Sequence, residues 1–231
     1  MNFLYNAFDP YFILLVIPAM IFSMWAQHMV TSSFKKYSSQ MTSKRLTGAQ
    51  AAAAVLKYSG VDNVSIERIP GSLTDHFDPR TNVIRLSDSV HDSASVAAVG
   101  VAAHEAGHAI QYANKYVPMK LRAAIIPVTN IGSKLSMPLV LVGLLMSLPG
   151  LINIGILLFA TVVLFQLITL PVEFNASRRA IKILDDSALL SREEVPASRK
   201  VLTAAALTYV GALAVSLAQL IRLIALSRSR R

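Results

Sequence analysis

The chain has 231 residues, 54% of them hydrophobic, with a formal net charge of +9 and no cysteine. Disulfides and thiolate metal sites are thereby excluded, leaving histidine and carboxylate as the strong metal ligands. So apolar a composition points to the membrane. No aromatic–basic cluster or nucleic-acid motif accompanies the basic excess, so no nucleic-acid partner is expected. In a hydrophobic chain, positive charge instead flanks membrane spans on the cytoplasmic side.

Residues 1–10 carry no Lys or Arg, unlike the positive start of a cleaved signal peptide. The apolar run from Tyr11 to Met29 is therefore expected to be retained as a transmembrane anchor within 1–30, with Trp25 near the interface. Lys35, Lys36, Lys44 and Arg45 follow as a positive-inside flank. Thr47-Gly48-Ala49-Gln50 has capping-box spacing, which predicts a short helix to Tyr58, ended by Gly60. Val64–Ile69 reads as a strand. Leu73–Phe77 and Asn82–Leu86 read as a hairpin around Asp78-Pro79-Arg80-Thr81.

Asp92–Ser95 offers several N-cap candidates, and Val96 to Tyr112 is then a helix. It is long enough to span a bilayer. However, it is rich in Ala and Gly and poor in large aliphatics, so a buried helix of a soluble region is expected. Ala123–Leu170 holds one charge, Lys134, with Leu148-Pro149-Gly150 as a turn signal midway, and predicts a transmembrane hairpin over 123–170. Lys134 either snorkels to an interface or faces a polar cavity near the site. Pro171–Lys200 is charged again and reads as a helix leaving the membrane. Val201–Ala225 is a last apolar segment, with a basic tail completing 201–231. Four spans put that tail outside, against the positive-inside rule. Either the tail is an exception or the last segment does not cross fully. The expected fold is a mainly α membrane protein with about four transmembrane helices and a small α+β region, 31–122, at the membrane surface.

The chemistry is concentrated in Val101-Ala102-Ala103-His104-Glu105-Ala106-Gly107-His108-Ala109-Ile110. Positions i and i+4 of a helix share a face, so His104 and His108 can present two imidazoles to one metal ion. Glu105 stands where a carboxylate reaches the attacking water without ligating the ion. Ala106 and Gly107 leave room for the ion and for close helix packing. A catalytic zinc site takes three protein ligands, and no His follows the motif. The third ligand must therefore be sought among Glu173, Asp185, Asp186, Glu193 and Glu194. Glu173 stands out in Leu170-Pro171-Val172-Glu173-Phe174-Asn175-Ala176-Ser177, because a carboxylate among apolar neighbours is costly unless something compensates it. Pairing with Arg178 or Lys134 is the alternative. The default for the other four is a solvated helix face. The implied reaction is metal-assisted peptide hydrolysis, with Glu105 moving a proton from water to the leaving amine. A second donor to the oxyanion is needed, and His76 and Arg178 are the candidates. His76 is equally a hairpin residue bonded to Asp78. His28 and His91 read as structural or exposed.

On these residues, and on Leu73-Thr74-Asp75-His76-Phe77-Asp78-Pro79-Arg80 and Ala97–Gln111, the chain resembles the bacterial membrane-bound neutral zinc metallopeptidases over nearly its full length. More distantly it resembles the CAAX-prenyl endopeptidases and HtpX-type membrane proteases. The resemblance implies His104, His108 and Glu173 as ligands of one zinc ion per chain and Glu105 as catalytic base. It also implies a zincin-like catalytic region over 31–122 and a protein or peptide substrate at the membrane, paired as an extended strand with Thr74–Phe77 or Asn82–Leu86. The positive-inside flank puts that region on the cytoplasmic side. Ser177 stands where the distant relatives have Asp, so the supporting role of that Asp does not carry over directly. Two other classes compete. A site-2-type intramembrane protease would draw a ligand Asp from a later membrane helix, and Leu184-Asp185-Asp186 is a partial echo of that pattern. A non-catalytic zinc-containing scaffold or chaperone would have no use for Glu105.

Overall fold

The computed structural model describes residues 9–228, so the basic run 229–231 lies outside the described residues. The chain is mostly helical. A π-helical turn at Phe12–Val16 leads into α1 (Ile17–Ser38), followed by α2 (Gly48–Tyr58), β1 (Ser65–Ile69), β2 (His76–Asp78) and β3 (Val83–Ser87). Then come α3 (Asp88–His91), α4 (Val96–Ala113), α5 (Val117–Leu145), α6 (Pro149–Asp186) and α7 (Val195–Arg228). Among the described residues four helices are long and apolar enough to cross a membrane: Phe12–Ser38, Val117–Leu145, Pro149–Asp186 and Val195–Arg228. The motif helix α4 is not one of them.

The chain divides into two compact units. The first takes in residues up to Ala26, Leu121–Leu170, and Thr208 onward. Its large aliphatics point outward: Leu14, Leu145 and Leu157 are 71%, 73% and 70% exposed, an arrangement that suits lipid rather than water. Its interior uses small residues. A Cβ added at Gly132 would stand 2.6 Å from the Leu158 carbonyl oxygen, and one at Gly155 would stand 2.7 Å from that of Ser136, so the α5 and α6 backbones pack directly. Arg222 is compensated within this unit: its Nε donates to Asp9 Oδ2 at 2.7 Å, and its guanidinium lies 5.0 Å from the Phe12 ring centroid. Lys134 is exposed on α5.

The α5–α6 turn is not where the Leu148-Pro149-Gly150 signal put it. Met146–Leu148 make the turn, with Ser147 at φ 55, and Pro149 opens α6, where its missing N–H costs nothing. α6 runs unbroken through Pro171 to Asp186, and the two compact units divide between Leu170 and Pro171.

The second unit comprises Gln27–Lys120 and Pro171–Leu207. Thr47 caps α2 with the reciprocal bonds its spacing predicts: Gln50 N–H donates to Thr47 Oγ1, and Thr47 N–H to Gln50 Oε1. The sheet order is β1-β3-β2, with β1 parallel and β2 antiparallel to β3. The expected hairpin is present, tightened by Arg80 N–H donating to Asp78 Oδ1 and by Asn82 at φ 53. Arg85 on β3 reaches an acid on each neighbouring strand, Asp78 at 3.0 Å and Glu67 at 3.4 Å. On its buried face β3 contributes Ile84 and Leu86, which pack with Ala51 and Val55 of α2 and with Val99, Ala102, Ala103 and Ala106 of α4. Ala180, Leu184, Leu190 and Val201 close the same core from the C-terminal segments. Hence α4 lies between the sheet, α2 and the end of α6, with the motif at its centre.

Candidate metal centre

Ser95 caps α4, its Oγ accepting from the Ala98 N–H at 3.2 Å. About two and a half turns further on, the helix presents His104 and His108 with their rings 4.6 Å apart at 81°. The Nε2 atoms face Glu173 on α6, at 3.3 Å (His104) and 3.4 Å (His108) from its Oε2. These three residues are a group whose ligand atoms all lie within 4.8 Å of one another. Zinc bonds of about 2.0–2.2 Å place neighbouring corners of a tetrahedron about 3.3–3.6 Å apart. The donor set and its spacing thus fit a zinc ion, and the buried Glu173 is the carboxylate that such an ion would compensate. Glu105, also buried, follows His104 directly. Burial alone would pull the His108 imidazole toward neutrality, but the neighbouring Glu173 carboxylate outweighs it and holds the His108 pKa above its ordinary value.

Close packing delivers Glu173. A Cβ on Gly107 would sit 2.7 Å from the Ala176 carbonyl oxygen, so only glycine lets α4 and α6 meet here. Each histidine is also held from behind. Ser177 Oγ lies 3.1 Å from His104 Nδ1, and Gln111 Oε1 lies 3.0 Å from His108 Nδ1. The Ser177 hydroxyl reaches the His104 ring from one turn beyond Glu173. Gln111 was not singled out in the sequence. Its signal is a lone amide three residues after His108, on the same face of an otherwise small-residue helix.

The sequence pattern of the family described as "Putative neutral zinc metallopeptidase" matches residues 12–228. The chain belongs to that family. It is 46% identical over 213 residues to "Putative membrane protease YugP" of Bacillus subtilis (strain 168), covering 92% of this chain and 95% of that protein. No solved structure matches.

The other sequence candidates fall outside the cluster. His76 is exposed on β2, with Nδ1 on the Thr74 carbonyl at 2.9 Å rather than on Asp78. Asp78 is engaged by Arg80 and Arg85 instead. Arg178 lines a groove of about 510 Å³ together with Ser177, Ile181, Arg199 and Leu202. Asp185 and Asp186 are exposed, and Asp186 pairs with Lys182 at 2.7 Å. Glu193 is exposed as expected, but Glu194 is not on a solvated face. Its carboxylate accepts from the Ser43 N–H at 2.7 Å and the Ser191 N–H at 2.8 Å, tying the segment after α1 to the start of α7. His28 is exposed and His91 bonds Asp92. As partners for a substrate strand, the two candidates separate. β3 is the central strand, covered on both edges, so Asn82–Leu86 cannot accept a peptide, whereas β2 is an edge.

Proposed function

We propose that this chain is a membrane-bound zinc endopeptidase that hydrolyses peptide bonds in membrane or membrane-proximal proteins. The observation that carries the reading is the convergence of His104 Nε2, His108 Nε2 and Glu173 Oε2 beside the buried Glu105, in a chain of a zinc metallopeptidase family. One zinc ion, held by these three residues, would acidify water and polarise the scissile carbonyl. Glu105 takes the proton of the attacking water and passes it to the leaving amine. The free edge of β2 holds the substrate in extended form by main-chain bonds, as sheet-edge recognition does elsewhere. In this reading His76, exposed on that strand, contacts the substrate or its developing oxyanion. The motif helix is not one of the four long apolar helices, and Glu173 rather than Asp185 meets the histidines, which favours cleavage outside the substrate's span over a site-2-type mechanism. The basic flank after the first apolar helix supports a site on the cytoplasmic side.

Glu105→Gln tests this. The purified variant is expected to bind zinc like wild type and to lose peptidase activity by about 10²–10⁴-fold, the range expected for a general acid–base group. In cells, comparing wild type with Glu105→Gln should reveal membrane proteins cut on the cytoplasmic side, beyond the ends of their spans. A fully active Glu105→Gln protein, free of contaminating protease, refutes the mechanism. Cuts confined to the outer face would move the site across the membrane.

A further inference from the structure

Gln111 is fully buried and engaged at both ends of its amide. Its Oε1 lies 3.0 Å from His108 Nδ1, and its Nε2 lies 2.8 Å from the Val172 carbonyl and 3.0 Å from Asn175 Oδ1. Arg179 Nε lies 2.8 Å from the same Asn175 Oδ1. The hydrogen-bond directions in this chain of contacts follow from the chemistry of its fixed members. A guanidinium only donates, so the Asn175 atom beside Arg179 is the carbonyl oxygen. A backbone carbonyl only accepts, so Val172 also requires a donor. Both acceptors face one end of the Gln111 amide, and that end is therefore the NH₂. The opposite end is an oxygen and can only accept. His108 must then carry a proton on Nδ1, which in the neutral ring leaves the Nε2 lone pair directed toward Glu173, 3.4 Å away.

We propose that Gln111 is a positioning residue that sets the tautomer of His108 for Nε2 ligation, with its own orientation dictated by α6 through Val172 and the Asn175–Arg179 pair. The inference rests on the metal-site reading above. Because Val172 adjoins Glu173 and Asn175 lies two residues beyond it, one amide couples the seating of the third ligand to the readiness of the second. His104 has no such instruction: its partner, the Ser177 hydroxyl, can donate or accept, so either His104 tautomer is compatible with that contact. The two ligand histidines are thus prepared unequally, His108 by the fold and His104 by the ion.

The test is long-range ¹H–¹⁵N correlation of the imidazole nitrogens in full-length protein in detergent, zinc-loaded and after chelation, at alkaline pH where the chelated His108 ring is neutral. In wild type His108 should show a protonated Nδ1 in both states and an unprotonated Nε2 after chelation. Gln111→Met, similar in length but without the amide, should show mixed His108 tautomers after chelation. It should also bind zinc about 10–100-fold more weakly in competition with a chromophoric chelator. Arg179→Leu should have a smaller effect, since Val172 still orients Gln111. A proton on His108 Nε2 in the chelated wild type overturns the proposal without reference to any variant, and so decides the matter even where Gln111→Met does not fold. Wild-type zinc affinity in a folded Gln111→Met protein also overturns it. Wild-type protein that binds zinc and cleaves peptides while carrying the wrong tautomer refutes the positioning role and leaves the peptidase reading standing. The Nδ1–H tautomer in a protein that binds no zinc refutes the metal site instead.

Discussion

Gly107→Ala should separate folding from metal binding. The added Cβ would stand 2.7 Å from the Ala176 carbonyl oxygen and 3.3 Å from the Ala176 carbonyl carbon and Cα, all backbone atoms that no rotamer change can move aside. Ordinary contact begins near 3.4 Å, so α4 and α6 must part by about 0.7 Å at this point. Ala176 lies less than one turn beyond Glu173 on the same helix, so the displacement is passed to the carboxylate. Metal sites tolerate ligand displacements of only about 0.2 Å. Stability should change little, because alanine gains about 1 kcal/mol of helix propensity over glycine while overpacking costs about 1–3 kcal/mol. The expected variant is folded, with a melting temperature within a few degrees of wild type, and binds zinc at least about tenfold more weakly, the loss that follows when a ligand is poorly supported. Zinc competition in detergent and a thermal melt on the same preparation measure the two quantities. Wild-type zinc affinity in Gly107→Ala would show that α6 does not deliver Glu173 through this contact, and the account of the site would fail at its geometry.

Two further substitutions probe the periphery of the same unit. His76→Ala is expected to leave zinc affinity unchanged and lower kcat/KM about tenfold or more, as loss of an oxyanion or substrate contact does; normal turnover on peptides removes His76 from the site. Glu194→Gln tests the tie between the segment after α1 and the start of α7. Burial pushes the Glu194 pKa up, but the Ser191 and Ser43 N–H groups more than offset this, leaving it below its ordinary value. Its stabilisation is therefore complete above the unfolded pKa of about 4.3 and is lost as pH falls through the lower folded value. Glu194→Gln should cost about 1–2 kcal/mol at neutral pH and flatten the acid limb of stability against pH; an unchanged acid limb would show that the carboxylate is not coupled to folding.

Local signals and desolvation were legible in the sequence; pairings across the chain were not. Thr47 and Gln50 cap α2 because the capping box is written in four consecutive residues. Glu173 stood out because a carboxylate among apolar neighbours demands a partner, and the fold brings it to the histidine pair. Glu194 is buried too, without so clear a local sign. The mixed charges around it suggested solvent, although Ser191 and Glu194 have capping spacing and the Glu194 N–H does reach Ser191 Oγ at 3.3 Å. The central position of β3 was hidden because its second neighbour, β1, pairs in parallel across a long connection that no hairpin signal marks. Gln111 shows where the limit lies. Its spacing from His108 is local and could be seen, but a glutamine on a helix surface is ordinary. Only Val172, Asn175 and Arg179, brought in by α6, make one end of its amide a donor and the other an acceptor. A polar residue three positions after a ligand histidine is therefore best tested by asking what its far end touches. Where that end meets only acceptors, the end facing the ring is an oxygen, and the metal-binding tautomer of the histidine follows without an ion being present.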